Sequence, residues 1–180
     1  QNKLIEFLEK LDEEEVPSNY TNFYLSRLKK DEIKNKKIKI NNKIIHQSKL
    51  INYFKEDYSN KNLEKDLENI LKKIKKDKKY VFSIKDVILL ESLKSDGVEI
   101  PKKFQNIYDP IDPNIPYDIQ ILINKEEHGL ALLRLVEVIG EDNIDDLGTE
   151  TLHFIISVLN QLNFDKLRNR ILLKVLPLKV

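Results

Sequence analysis

No cysteine occurs in the 180 residues, which excludes disulfides, thiolate metal sites and cysteine nucleophiles and leaves the redox compartment unread. Glycine is almost as scarce. The four glycines, Gly97, Gly129, Gly140 and Gly148, are nowhere closely spaced, so no phosphate-cradling loop or dinucleotide fingerprint can form. Nucleotide-dependent chemistry is set aside on that ground, and no cofactor is expected. Long hydrophobic runs are missing as well. The longest, Leu130 to Ile139, is interrupted by Arg134 and Glu137 and falls far short of the roughly 20 apolar residues that span a bilayer. No membrane span is expected.

What is present is charge and helical periodicity. A hydrophobic content of 41% with 34% charged residues lies in the globular range, and the weight of Lys, Asn and Ile reads as AT-rich genome composition. The net charge of +1 conceals an asymmetry: −4 over residues 1–20, +10 over 21–80, −9 over 81–160 and +4 over 161–180. Such a division can steer a charged partner or let the two halves face each other. Because the first residue is Gln1, further residues are expected upstream, where a targeting segment would sit. The compartment is left open, with the cytoplasm favoured, and the chain is a candidate C-terminal part of a larger protein.

Leu4, Leu8 and Leu11 share a helical stripe that ends near Pro17, and Ser18 is placed to cap a second helix carrying Tyr20, Phe23, Tyr24 and Leu28. Lys37 to Ile40 alternates like a strand, but Ile44, Ile51, Phe54 and Tyr58 recur at helical intervals, so a basic loop followed by a helix from about Asn42 is expected. Ser59 precedes the clearest amphipathic pattern, Leu63, Leu67, Ile70, Leu71 and Ile74. Its acids lie early and its lysines late, as the helix dipole favours. Ser83 and Asp86 have capping-box spacing and Asp96-Gly97 supplies a stop, giving a helix over 84–95.

Four prolines at 101, 110, 113 and 116 block regular helix. They predict a linker over 109–116 between a basic N-terminal helical region, 1–108, and an apolar C-terminal helical domain, 117–180. In the latter, 119–123 is short and apolar, and 130–139 is apolar nearly all round, as a central helix would be. Further helices are expected over 149–162 and, capped by Asn163, over 164–176. A helix, turn and helix at 63–95 recurs at 128–162, a faint echo of stacked helical hairpins. The expected fold is all-α, with short amphipathic helices packed as helical hairpins in a bundle or short solenoid-like array.

Candidate sites are few. Lys72, Lys73, Lys75, Lys76, Lys78 and Lys79 put six lysines in eight positions, a pattern that tracks phosphates, with lysines 29–39 as an extension. The plainer explanation is a solvated helix end, since no arginine or aromatic base-reading pattern is interleaved. Glu150 and His153 have the Glu-x-x-His spacing of di-metal helices, but His46 follows Lys43 and His128 follows Lys125, so no second copy exists. His153 is read as a surface or boundary residue on the polar face of its helix. Residues 141–150 lack the alternating carboxylates of a calcium loop, and none of Ser48, Ser83 or Ser157 sits in a nucleophile elbow. No metal site and no catalytic residue is expected. The reading is a non-catalytic scaffold that binds a protein partner, with nucleic-acid binding through the lysine-rich segments as the alternative.

Overall fold

The computed structural model describes residues 38–55, 60–140 and 144–177. The helices expected around Leu4–Leu11 and Ser18–Leu28, the cap at Ser59, the lysines before residue 38 and residues 141–143 lie outside that range. Among the described residues there is no strand. Six α-helices follow one another: α1 (Asn60–Lys76), α2 (Ile84–Ser95), α3 (Tyr117–Asn124), α4 (His128–Ile139), α5 (Thr149–Gln161) and α6 (Asp165–Val175). Single-turn 3-10 segments lie at Ile45–Gln47, Lys102–Phe104 and Ile144–Asp146, and a longer one at Lys49–Phe54. The fold is all-α, as periodicity indicated.

Local signals account for several boundaries. In α1 the stripe Leu63, Leu67, Ile70, Leu71 and Ile74 is buried throughout. At α2, Ser83 Oγ accepts from the Asp86 N–H at 3.2 Å while Asp86 Oδ2 accepts from the Ser83 N–H at 2.9 Å, the reciprocal capping box. Its C-terminus closes as a Schellman motif, with Val98 N–H on Leu93 O and Gly97 N–H on Lys94 O. Gly97 stands at φ +79° with open space where a Cβ would go. Gly97→Ala therefore costs only the left-handed backbone penalty, about 1 kcal/mol; a urea midpoint that did not fall would contradict this account of the turn.

Two boundaries depart from expectation. The segment from Asn42 forms no α-helix but two successive 3-10 stretches, broken at Ser48, whose hydroxyl donates to Ile45 O at 2.6 Å. That hydroxyl competes with the continuing helix for backbone partners. Asn163 does not cap α6; it takes φ 56° and terminates α5, with Phe164 N–H bonded to Leu159 O. Asparagine tolerates the left-handed region that this C-terminal motif requires.

The centre of the packing is α2 against α5. Leu89, Leu90 and Leu93 from α2 and Leu152, Ile155, Ile156 and Leu159 from α5 are buried, each such side chain contributing about 1.5–3 kcal/mol of transfer free energy. Helix α6 packs on α5 and on the Lys49–Phe54 turn, α1 packs on the same turn, and α3 pairs with α4. The close pairs are therefore not α1 with α2 and α4 with α5, the two that the sequence echo singled out. Residues 109–116 carry no regular structure, as their prolines require. Packing continues past them, however, and residues Lys39–Val180 form a single compact unit.

The central helix is α2, in which Asp86 to Leu90, Ser92 and Leu93 are all buried. Helix α4, expected to be central, buries only Ala131, Leu132 and Leu135. Leu133, Val136 and Ile139 are half-buried, Leu130 and Val138 are exposed, and its α3 partner buries Ile119 alone.

Candidate functional site

The described residues hold two buried polar clusters, one basic groove and a hairpin with exposed apolar side chains. The first cluster gathers on Asp86. Its Oδ1 accepts from His46 Nδ1 at 2.7 Å and from the His46 N–H at 3.0 Å, and its Oδ2 from Tyr80 Oη at 3.0 Å and from the Ser83 hydroxyl and N–H. Burial acts to raise the Asp86 carboxyl, but hydrogen bonds from His46 and the Ser83 and His46 backbone outweigh it, so the group sits below the ordinary carboxylate range. Tyr80, which also accepts from the Ile45 N–H at 3.1 Å, is pushed up by burial and by Asp86.

Serine, histidine and aspartate thus meet in space although their sequence positions did not announce it. The geometry is not that of an activated nucleophile. Ser83 Oγ approaches the same His46 Nδ1 that Asp86 occupies, at 3.4 Å, while Nε2 faces the Gln47 amide. A general base needs the aspartate on one ring nitrogen and the hydroxyl on the other. The cluster instead fastens the Ile45–Gln47 turn to the start of α2.

The second cluster surrounds Arg168, whose side chain is wholly buried. Its Nη2 donates to both Asp96 oxygens at 2.7 Å and its Nη1 to Asn160 Oδ1 at 3.1 Å, with Asp165 Oδ1 at 3.0 Å and Asn169 on Nε. Tyr53 is raised by burial and by hydrogen bonding to Asp96. Through Asp96 and Asn160 the guanidinium joins α6 to the end of α2 and to α5, with its remaining contacts inside α6, so this too is structural. His153, placed at a surface by sequence reasoning, is buried, and desolvation lowers its ring below the usual histidine value; Glu150 is exposed. Among the described residues no three His, Asp or Glu side chains converge for a metal ion.

The six lysines singled out in the sequence, Lys72, Lys73, Lys75, Lys76, Lys78 and Lys79, are all exposed. Lys72 pairs with Glu68 at 3.2 Å, and Lys73 and Lys75 leave α1 on opposite flanks because two residues turn a helix by about 200°. Of the six, Lys75 alone lines a groove of about 470 Å³, together with Lys102, Lys103, Asn106, Asp77, Tyr80, Phe82 and apolar Ile74 and Ile107. The Lys102–Phe104 turn contributes cations that composition-based reading of residues 72–79 missed. Lys103 also pairs with Glu68, and its ammonium lies 5.2 Å from the buried Phe104 ring. Hydrogen bonding to Lys103 and Lys72 holds Glu68 below the usual carboxylate range.

Three exposed apolar side chains lie on the α3–α4 hairpin. Tyr117 is 81% exposed, Leu130 45% and Val138 47%. Leu130, Arg134 and Val138 follow one another at i, i+4 and i+8, one stripe of the helix. Arg134 joins that stripe to the start of α3 through Asp118, Nε to Oδ2 2.7 Å, next in sequence to Tyr117.

Comparison of the chain with protein-family models, with curated proteins and with solved structures finds no match. No helix of the described residues is long and apolar enough to cross a membrane.

Proposed function

We propose that the chain is a non-catalytic helical scaffold that docks another protein on the outer face of its α3–α4 hairpin. The observation that carries this reading is the apolar stripe of α4. A helix this apolar is ordinarily buried on several sides, yet Leu130 and Val138 are exposed and Tyr117 stands almost free. Aromatic, aliphatic and arginine side chains together are the composition of interface centres, where Tyr and Arg carry a disproportionate share of binding energy. The titratable clusters support it from the other side, since their hydrogen bonds are spent on joining helices.

Leu130→Asp combined with Val138→Asp tests the proposal. The substitutions lie on the surface and are expected to change stability by no more than about 0.5 kcal/mol, while removing proteins that the wild-type chain retains in quantitative affinity capture. Val81→Asp, at an 84% exposed apolar residue elsewhere, serves as the control and should retain them. If the double variant and the control retain the same partners as wild type, the hairpin is not the docking face.

A further inference from the structure

We infer that the groove between the end of α1 and the Lys102–Phe104 turn binds single-stranded nucleic acid, seating a phosphate among Lys75, Lys102 and Lys103 and a base against Phe82. This goes beyond the hairpin proposal and uses none of its residues. Three observations converge on it. The cations arrive from two separate elements: Lys75 from the last turn of α1, and Lys102 and Lys103 from the 3-10 turn. Lysine at a helix C-terminus is explained by the dipole, which accounts for Lys75 but not for the other two.

Held pairing is also incomplete. Lys103 reaches Glu68 and Lys75 donates to the Lys103 carbonyl at 3.1 Å, but among the described residues Lys102 has no ion pair and Lys75 no carboxylate. Among the lining residues Lys75, Lys102 and Lys103 stand against Asp77 alone, so the groove keeps an excess of positive charge.

The third observation is aromatic. Tyr80 and Phe82 line the same groove, and Phe82 is braced by edge contact with Tyr80 at 5.2 Å and by stacking on Tyr108 at 5.8 Å. Rigid aromatic rings beside a cationic track are how sequence-tolerant single-strand sites are built, the rings stacking on bases and the cations following phosphates. Asn106 adds a side-chain amide able to donate and accept on a base edge. The volume, about 470 Å³, lies in the range of small-ligand sites. Duplex DNA, which buries its base faces, cannot use the ring.

Fluorescence anisotropy of a labelled oligothymidylate, titrated with the full chain over a range of salt, is the test. With the one seated phosphate neutralised, log affinity should fall with log salt at a slope of about −0.7. The triple variant Lys75→Gln, Lys102→Gln, Lys103→Gln should weaken binding at least tenfold and flatten that slope, and Phe82→Leu should weaken it about tenfold with the slope retained. Circular dichroism and urea midpoints establish that both variants fold. The control, Lys73→Gln, Lys76→Gln, Lys78→Gln, removes equal charge outside the groove and should bind as wild type. Equal losses in the control and groove triples, or no binding at low salt, overturn the proposal. So does a mononucleotide that binds as tightly as the strand, which would assign the groove to free nucleotides, or a duplex of the same length that binds as tightly.

Discussion

Replacing Asp86 by alanine is expected to destabilise the chain by about 3–5 kcal/mol, the cost of leaving a buried, multiply bonded group's partners unpaired. Natural domains hold about 5–15 kcal/mol in all, so the variant should unfold at far lower urea or fail to accumulate folded. The size follows from the number of donors stranded. Asp86 accepts from His46 Nδ1, the His46 N–H, Tyr80 Oη, the Ser83 hydroxyl and the Ser83 N–H, and it is itself buried. Asp86→Asn keeps the shape but offers a single accepting oxygen, and should fall between the two.

The acid dependence of this interaction has a definite sign. The folded carboxyl lies below its unfolded value, so the unfolded chain binds the proton first, and the stabilisation is present above about pH 4 and lost as pH falls through the folded value. The stability gap between wild type and Asp86→Ala should therefore narrow on acidification below about pH 4. A gap that is constant down to the acid limit, or one under about 1 kcal/mol at neutral pH, would show that the cluster does not fasten the turn to α2.

Arg168→Met is the second large effect, again about 3–5 kcal/mol, measured by urea denaturation. Methionine fills much of the volume, so the loss is electrostatic: Asp96, with only 12% of its side chain exposed, is left without its cation. The companion Asp96→Asn removes that charge in turn. The double variant should be more stable than the sum of the single losses predicts, with a coupling of about 0.5–3 kcal/mol. Additive losses would mean that Arg168 acts through packing and its contacts to Asn160 and Asn169 rather than through Asp96.

Both clusters join elements of the fold through their hydrogen bonds. Of the residues that a catalytic reading would recruit, His46, Ser83 and Asp86 are partners of one another and Arg168 is held by Asp96 and Asn160; the surfaces proposed for recognition are the α3–α4 stripe and the lysine-lined groove.

The all-α class, the amphipathic register of α1, the capping box of α2 and the stop at Gly97 were legible in the sequence because each is written within one or two helical turns. Apolar spacing and cap hydrogen bonds act between residues three to five apart, where order along the chain and proximity in space coincide. Burial of Arg168 was not legible: its partner Asp96 lies 72 residues away, and an arginine in a polar-looking stretch reads as surface until that carboxylate arrives. His153 became buried for the same reason, by what packs over it. Composition marked α4 as central, yet only the placement of α2 against α5 decided which helix is enclosed and which keeps an apolar side exposed. Likewise the lysine run at 72–79 was visible, but only folding brought Lys102 and Lys103 beside Lys75. Local sequence determined which segments are helical, and long-range packing decided which of their side chains remain available to bind.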